Sequence, residues 1–134
     1  MRIINSRTAY ATLIFLLLMV VHACKKDDSP PAEAKLDVKL SSAAIETSPS
    51  NTFNFSVTIN SQLPAGGVKI NVDVKREDNN ASVYSIQASS NSAANNFTIS
   101  PLPPGQIYCL ATITVTSVST ATNTWSGTFR VLWK

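Results

Sequence analysis

The 134-residue chain is predicted to be all-β, a single seven-stranded antiparallel sandwich behind a cleaved leader and a flexible tether. Three observations carry this. Apolar and polar residues alternate with period two over most of the chain beyond residue 35, as strands with one dry and one wet face require. Clusters of Gly, Pro, Asn and Ser break the alternation at the short spacing of a two-sheet architecture. No stretch in that region carries the 3.6-residue repeat of an amphipathic helix.

The chain opens on a different pattern. Arg2 and Arg7 precede a continuous apolar run, Leu13-Ile14-Phe15-Leu16-Leu17-Leu18-Met19-Val20-Val21. A positive start followed by a short apolar core is the layout of a secretory signal. The run falls well short of the about 20 residues that cross a bilayer. It ends in Val21-His22-Ala23-Cys24, with a small residue directly before the cysteine and an aliphatic one two positions earlier. This ending resembles the lipobox of bacterial lipoproteins. The resemblance implies cleavage between Ala23 and Cys24, a thioether diacylglycerol on Cys24 and an acyl chain, of the palmitate kind, on the new amino terminus. An ordinary signal peptide with a chance cysteine is the competing reading. One acyl chain binds a membrane only marginally, at about 0.8 kcal/mol per buried methylene, so three chains make an anchor that holds without a membrane-spanning helix. The next residues, Lys25-Lys26-Asp27-Asp28, resemble the surface-export signal of Bacteroidetes-type lipoproteins. That resemblance implies roles for Lys26, Asp27 and Asp28 as the export signal, and a location on the outer face of the outer membrane rather than facing the periplasm. Residues 1–23 are therefore expected to be the signal peptide and 24–34 the lipidated cysteine with its tether. Ser29-Pro30-Pro31-Ala32-Glu33-Ala34 is polar and proline-stiffened, as a tether would be. The folded domain is expected over residues 35–134.

Within that domain Leu36, Val38 and Leu40 alternate with Asp37 and Lys39 in a first strand. Residues 41–51 are polar and turn-rich, and Pro49 cannot donate to a ladder. Phe53, Phe55, Val57 and Ile59 alternate with Asn54, Ser56 and Thr58 in the clearest strand of the chain. Leu63-Pro64-Ala65-Gly66-Gly67 is a turn. Val68, Ile70, Val72 and Val74 follow, alternating with Lys69, Asn71, Asp73 and Lys75. The polar turn Glu77-Asp78-Asn79-Asn80 leads to a weaker strand over 83–88, a soft loop over 89–96 and a short strand over 97–99. A long strand spans 106–117, with Cys109, Ala111, Ile113 and Val115 on one face and Thr112, Thr114 and Thr116 on the other. Trp125, Phe129, Val131 and Trp133 alternate to the end of the chain. The stretch from Phe97 to Val131 resembles a fibronectin type III or broader immunoglobulin-like domain. Leu102, Pro104, Gly105 and Tyr108 fall where that family has a leucine, a Pro-Gly corner and a tyrosine. The resemblance implies that the Tyr108 hydroxyl closes a corner by hydrogen bonding to backbone.

Composition narrows the chemistry. The formal charge is +3, but Arg2 and Arg7 leave with the leader and the mature chain is nearly neutral. With no basic face, nucleic acid is not an expected partner. Cys109 is the only cysteine besides Cys24 and His22 the only histidine. An acylated Cys24 leaves no disulfide within the chain, and loss of His22 with the leader leaves no Cys–His pair for nucleophilic catalysis. Cys109 reads as a buried, inert thiol. Asp73, Glu77 and Asp78 are the carboxylates that acid–base chemistry could draw on, but a domain this small offers no deep cleft to raise a carboxyl pKa. The oxygens of residues 77–80 could hold calcium, though four polar residues in a hairpin turn ordinarily face water. No resident cofactor and no metal are expected beyond the covalent lipid on Cys24. Trp125 and Trp133 share parity with Phe129 and Val131, which favours core packing over a sugar-stacking platform. The expectation is a non-enzymatic, lipid-anchored surface protein that binds an unidentified protein or glycan. A structural accessory subunit of an outer-membrane assembly is the alternative.

Overall fold

The structure is a computed structural model and describes residues 32–134. The compact unit spans Glu33–Lys134. Among the described residues there is no helix. Eight strands follow in order: β1 (Val38–Leu40), β2 (Ile45–Ser48), β3 (Phe53–Ile59), β4 (Val68–Arg76), β5 (Ser82–Ser90), β6 (Ala94–Ile99), β7 (Cys109–Ser117) and β8 (Thr124–Trp133). They form a three-stranded sheet ordered β1-β3-β6 and a five-stranded sheet ordered β2-β8-β7-β4-β5.

Two points differ from the sequence expectation of seven antiparallel strands. The extra strand is β2, drawn from a segment expected to be only turn, and it pairs parallel to β8, with Ile45 beside Arg130 and Ser48 beside Trp133. All other pairings are antiparallel. β2 escapes a periodicity argument because Ile-Glu-Thr-Ser has no apolar alternation. It forms because β8 offers a free edge. The short break at residues 41–44 lets the chain leave β1 in one sheet and join the other. Pro49 lies just past the strand, where its missing N–H costs no ladder bond.

The alternation read from the sequence becomes the core. Val68, Ile70, Val72 and Val74 are fully buried on the inner face of β4, as are Cys109, Ala111, Ile113 and Val115 on β7. Phe55, Val57 and Ile59 from β3, with Phe97 and Ile99 from β6, supply the opposing layer. Phe129 of β8 ties the two sheets together. Its ring meets Phe55 edge-on at 5.1 Å between centroids and Phe53 at 5.7 Å, while Phe55 stacks on Phe97 at 5.6 Å. Such pairs contribute about 0.5–1.5 kcal/mol beyond the area they bury. Trp125 and Trp133 are partly buried against this core, on the side their parity indicates. The ring of Trp125 lies over Gly127, where an added Cβ would come within 2.3 Å of it.

The β3–β4 turn closes on itself through Gly67 N–H donating to Pro64 C=O at 2.8 Å. Gly67 has φ of 74° and packs so closely on the β5–β6 turn that a Cβ would meet Asn91 Oδ1 at 2.0 Å. Both the sign of φ and the space demand glycine here. Before β7, Leu102 is buried and its N–H donates to Asn51 C=O at 2.7 Å, anchoring the segment that contains the cis Ser100–Pro101 bond.

Candidate functional site

The four residues singled out for lipidation and export, Cys24, Lys26, Asp27 and Asp28, lie outside the described residues. What the structure does place is the point where the tether meets the domain. Glu33 and Ala34, expected in the flexible tether, are bonded to the β7–β8 turn. One Glu33 carboxylate oxygen accepts from Ser117 Oγ at 3.0 Å and Thr120 Oγ1 at 3.3 Å, and the other from Asn123 Nδ2 at 2.6 Å. Asn123 also donates to the Ala34 carbonyl at 2.9 Å and accepts from Leu36 N–H at 3.0 Å. The hydrogen bonds, led by that of Ser117, hold the Glu33 carboxyl below the usual carboxylate range. The chain thus enters β1 through a built polar clasp. Its partners are 84 to 90 residues away in sequence, so local pattern gives no sign of it.

The densest set of charged groups sits at the other end of the large sheet, around the β4–β5 turn. Two side-chain pairs organise it. Arg130 of β8 grips Glu77 with both Nε, at 2.7 Å, and Nη2. Arg76 does the same to Asp78, at 2.9 Å from Nε and 2.5 Å from Nη2. The guanidinium of Arg130 also lies 4.3 Å from the centre of the Tyr108 ring, a cation–π contact. Asp73, Lys75, Arg76, Glu77, Asn80, Leu110 and Thr112 line a shallow depression of about 380 Å³ beside these pairs. Glu77 N–H donates to the Tyr108 carbonyl at 3.0 Å, fixing the turn against the start of β7.

This arrangement bears on several of the candidate residues. The oxygens a calcium ion would use are already engaged: Glu77 and Asp78 by arginines, and Asn79 Oδ1 by Ala81 N–H at 3.0 Å. Hydrogen bonds from Arg130 and Arg76 respectively hold the Glu77 and Asp78 carboxyls low, the opposite of what a general acid at neutral pH needs. Among the described residues no group of three or more His, Cys, Asp or Glu side chains converges. Cys109 is fully buried, and burial pushes its thiol up from the ordinary value, which suits an inert core residue. Tyr108 does not make the corner that the resemblance implies. It lies one position off the inward face begun by Cys109, so its ring packs under Arg130. Among the described residues its hydroxyl has no hydrogen-bond partner.

Thr112, Thr114 and Thr116 share the outer face of the large sheet, paired with Thr128, Ser126 and Thr124 of β8 and with Asp73, Asn71 and Lys69 of β4. The result is a broad hydroxyl- and amide-bearing surface. A smaller polar face, with Asn54, Ser56, Asn96 and Thr98, covers the outside of the three-stranded sheet, where Thr98 Oγ1 and Asn54 Oδ1 are 2.7 Å apart.

No protein-family model matches the chain, and no curated protein matches it. Among solved structures, a superoxide reductase (neelaredoxin) from Ignicoccus hospitalis superposes with a TM-score of 0.52 at 10% identity, covering 75% of this chain and 83% of that one. At that identity the likeness concerns the fold alone.

Proposed function

We propose that the chain is a lipid-anchored bacterial surface protein whose immunoglobulin-like β-sandwich is a non-enzymatic binding module. The observation that carries the anchor is the placement of Ala23-Cys24 at the end of an apolar run too short to span a bilayer, followed at once by Lys26-Asp27-Asp28. Among the described residues no helix is long and apolar enough to cross a membrane. A short stretch after Cys24 the chain is clasped at Glu33 and becomes a compact β domain, a suitable layout for a module held off a membrane by a tether.

The immunoglobulin-like reading is supported by strand order. If β1 and β2 are the two halves of a split first strand, the sheets read A-B-E and A′-G-F-C-C′, the arrangement of that architecture without its D strand. The buried strand-C tryptophan and inter-sheet disulfide of antibody domains have no counterpart here, since β4 carries no tryptophan and Cys109 is free. The non-enzymatic reading is supported by the described residues' chemistry. The lone thiol is buried, the turn carboxylates are ion-paired and held low, and histidine is absent from residues 32–134. The superoxide reductase activity named for the structural neighbour stays with that protein, because fold alone does not transfer a reaction. Binding would use the broad Thr, Ser, Asn and Lys face of the large sheet together with its charged end, where hydroxyls and amides can exchange hydrogen bonds with a glycan or a polar protein surface. The second reading, an accessory subunit of an outer-membrane assembly, draws on the bare edge of β5.

Protease added outside intact cells tests the location. The domain is expected to be digested from outside, and replacement of Lys26, Asp27 and Asp28 by alanine to protect it. Protection of the unaltered protein would place it facing the periplasm and move the assembly reading ahead. A glycan-array signal that Thr114→Lys abolishes would establish the outer sheet face as the binding surface. Isolation of the chain with one fixed membrane partner, and no glycan signal, would contradict a free binding module.

A further inference from the structure

We infer that β5 is a self-pairing edge, and that two copies of the chain join their five-stranded sheets through antiparallel β5–β5 pairing centred on Ile86. The inference is independent of the lipid anchor.

A strand at the end of a sheet carries a row of unused N–H and C=O groups, and proteins normally guard it with charge, proline, brevity or a bulge. Three of the four sheet edges here are short or guarded. β1 has three residues and a lysine, β2 has four and a glutamate, and β6 has six residues with two strand-poor asparagines. β5 has nine residues, Ser-Val-Tyr-Ser-Ile-Gln-Ala-Ser-Ser, with no charge and no proline. One register shift, at Val74/Lys75, disturbs its first residues. From Tyr84 to Ser90 it is regular and, among the described residues, paired on one side only.

The side chains on β5 point to the same conclusion. Tyr84, Ile86 and Ala88 stand opposite Val74, Val72 and Ile70 of β4, so they continue the inner, apolar face. Yet Ile86 is 39% exposed, while its partner Val72 is fully buried. Tyr84 and Ala88 are partly buried against the core, which leaves Ile86 as the exposed member of an inward-facing apolar row at the border of the described sheet.

A second copy fits this edge by symmetry. A two-fold axis through Ile86 sets Ile86 against its own copy, Tyr84 against Ala88 and Ser85 against Gln87. Such an isologous interface must tolerate each residue facing its mate. The uncharged strand does so, with no like-charge opposition, and its apolar row becomes continuous across the junction. A strand-pair contact is smaller than a standard stable interface, so the association is expected to be weak in dilute solution and to be favoured where copies are crowded together.

Cysteine cross-linking of the purified full chain at high concentration tests this, with the parent chain as background. Directly opposed antiparallel residues have Cα atoms about 4.5–5.5 Å apart, within disulfide range. Ile86→Cys should therefore form a covalent dimer on mild oxidation. Tyr84→Cys would sit roughly 14 Å from its own copy and should give no more dimer than the parent. Tyr84→Cys and Ala88→Cys expressed together should cross-link to each other. Ile86→Lys, in a Tyr84→Cys plus Ala88→Cys pair, should reduce that mixed dimer severalfold through opposed like charges. Unchanged thermal unfolding of Ile86→Cys relative to the parent verifies that the strand still folds. Equal dimer from Ile86→Cys and Tyr84→Cys alone, or none above background from a folded Ile86→Cys, would overturn the proposal.

Discussion

At the scale of single residues, burial separates positions that composition treats alike. Phe129 is 2% exposed and touches both Phe53 and Phe55, whereas Leu110 is 38% exposed on the outer face. Phe129→Ala is expected to cost about 3–5 kcal/mol in a urea titration, the loss typical of a large ring removed from a core. Leu110→Ala is expected to stay within about 0.5 kcal/mol, as surface changes usually do. Glu33 gives the clearest pH signature. Its carboxyl is held below its ordinary range by Ser117, Asn123 and Thr120. A depressed folded-state pKa stabilises the clasp above the ordinary carboxylate range, and that contribution is lost as pH falls through the lowered value. Acidification through and below the ordinary carboxylate range should therefore shift the Asn123 side-chain amide signals in an NMR titration, and Glu33→Gln should abolish that step. An unchanged Asn123 signal on acidification would mean the clasp does not form in solution. The Cys109 position was readable from alternation alone, because β7 keeps strict parity from Cys109 to Ser117. The Glu77–Arg130 pair was not. Its members are 53 residues apart and meet only because β7 lies between β4 and β8.

At the scale of elements, the strands that pattern marks most fully are those with two neighbours, although the edge strand β1 also shows in Leu36, Val38 and Leu40. β3, β4, β7 and β8 bury one full face and therefore alternate visibly. β5 and β6 extend further than their apolar residues suggest, because Ala94, Asn95 and Asn96 are held by the β3 ladder rather than by propensity. β2 is invisible for the same reason: its backbone bonds to β8, and its side chains bury little. Ile45 is 54% exposed. Local stability should follow this order. In native-state hydrogen exchange the amides of β4 and β7, central in the large sheet, are expected to be slowest. Those of β2 are expected to exchange orders of magnitude sooner, ahead of global unfolding. Equal protection of β2 and β7 would show that the parallel edge strand is integral to the cooperative core.

At the scale of the whole molecule, two kinds of information were carried by different parts of the chain. Residues 33–134 encode the fold through alternation and turns, and their chemistry is bland by design of composition: hydroxyls and amides outside, aliphatics and phenylalanines inside. The proposed destination rests on Cys24, Lys26, Asp27 and Asp28, through short linear pattern rather than through packing. Cys24 is the proposed point of attachment to a membrane. Metabolic labelling of cells with an alkynyl fatty acid tests it most directly, comparing the unaltered chain with Cys24→Ala. Label is expected on the unaltered chain, recovered in the membrane fraction, and none on Cys24→Ala. An unlabelled parent chain, or label that persists when Cys24 is replaced, would contradict it.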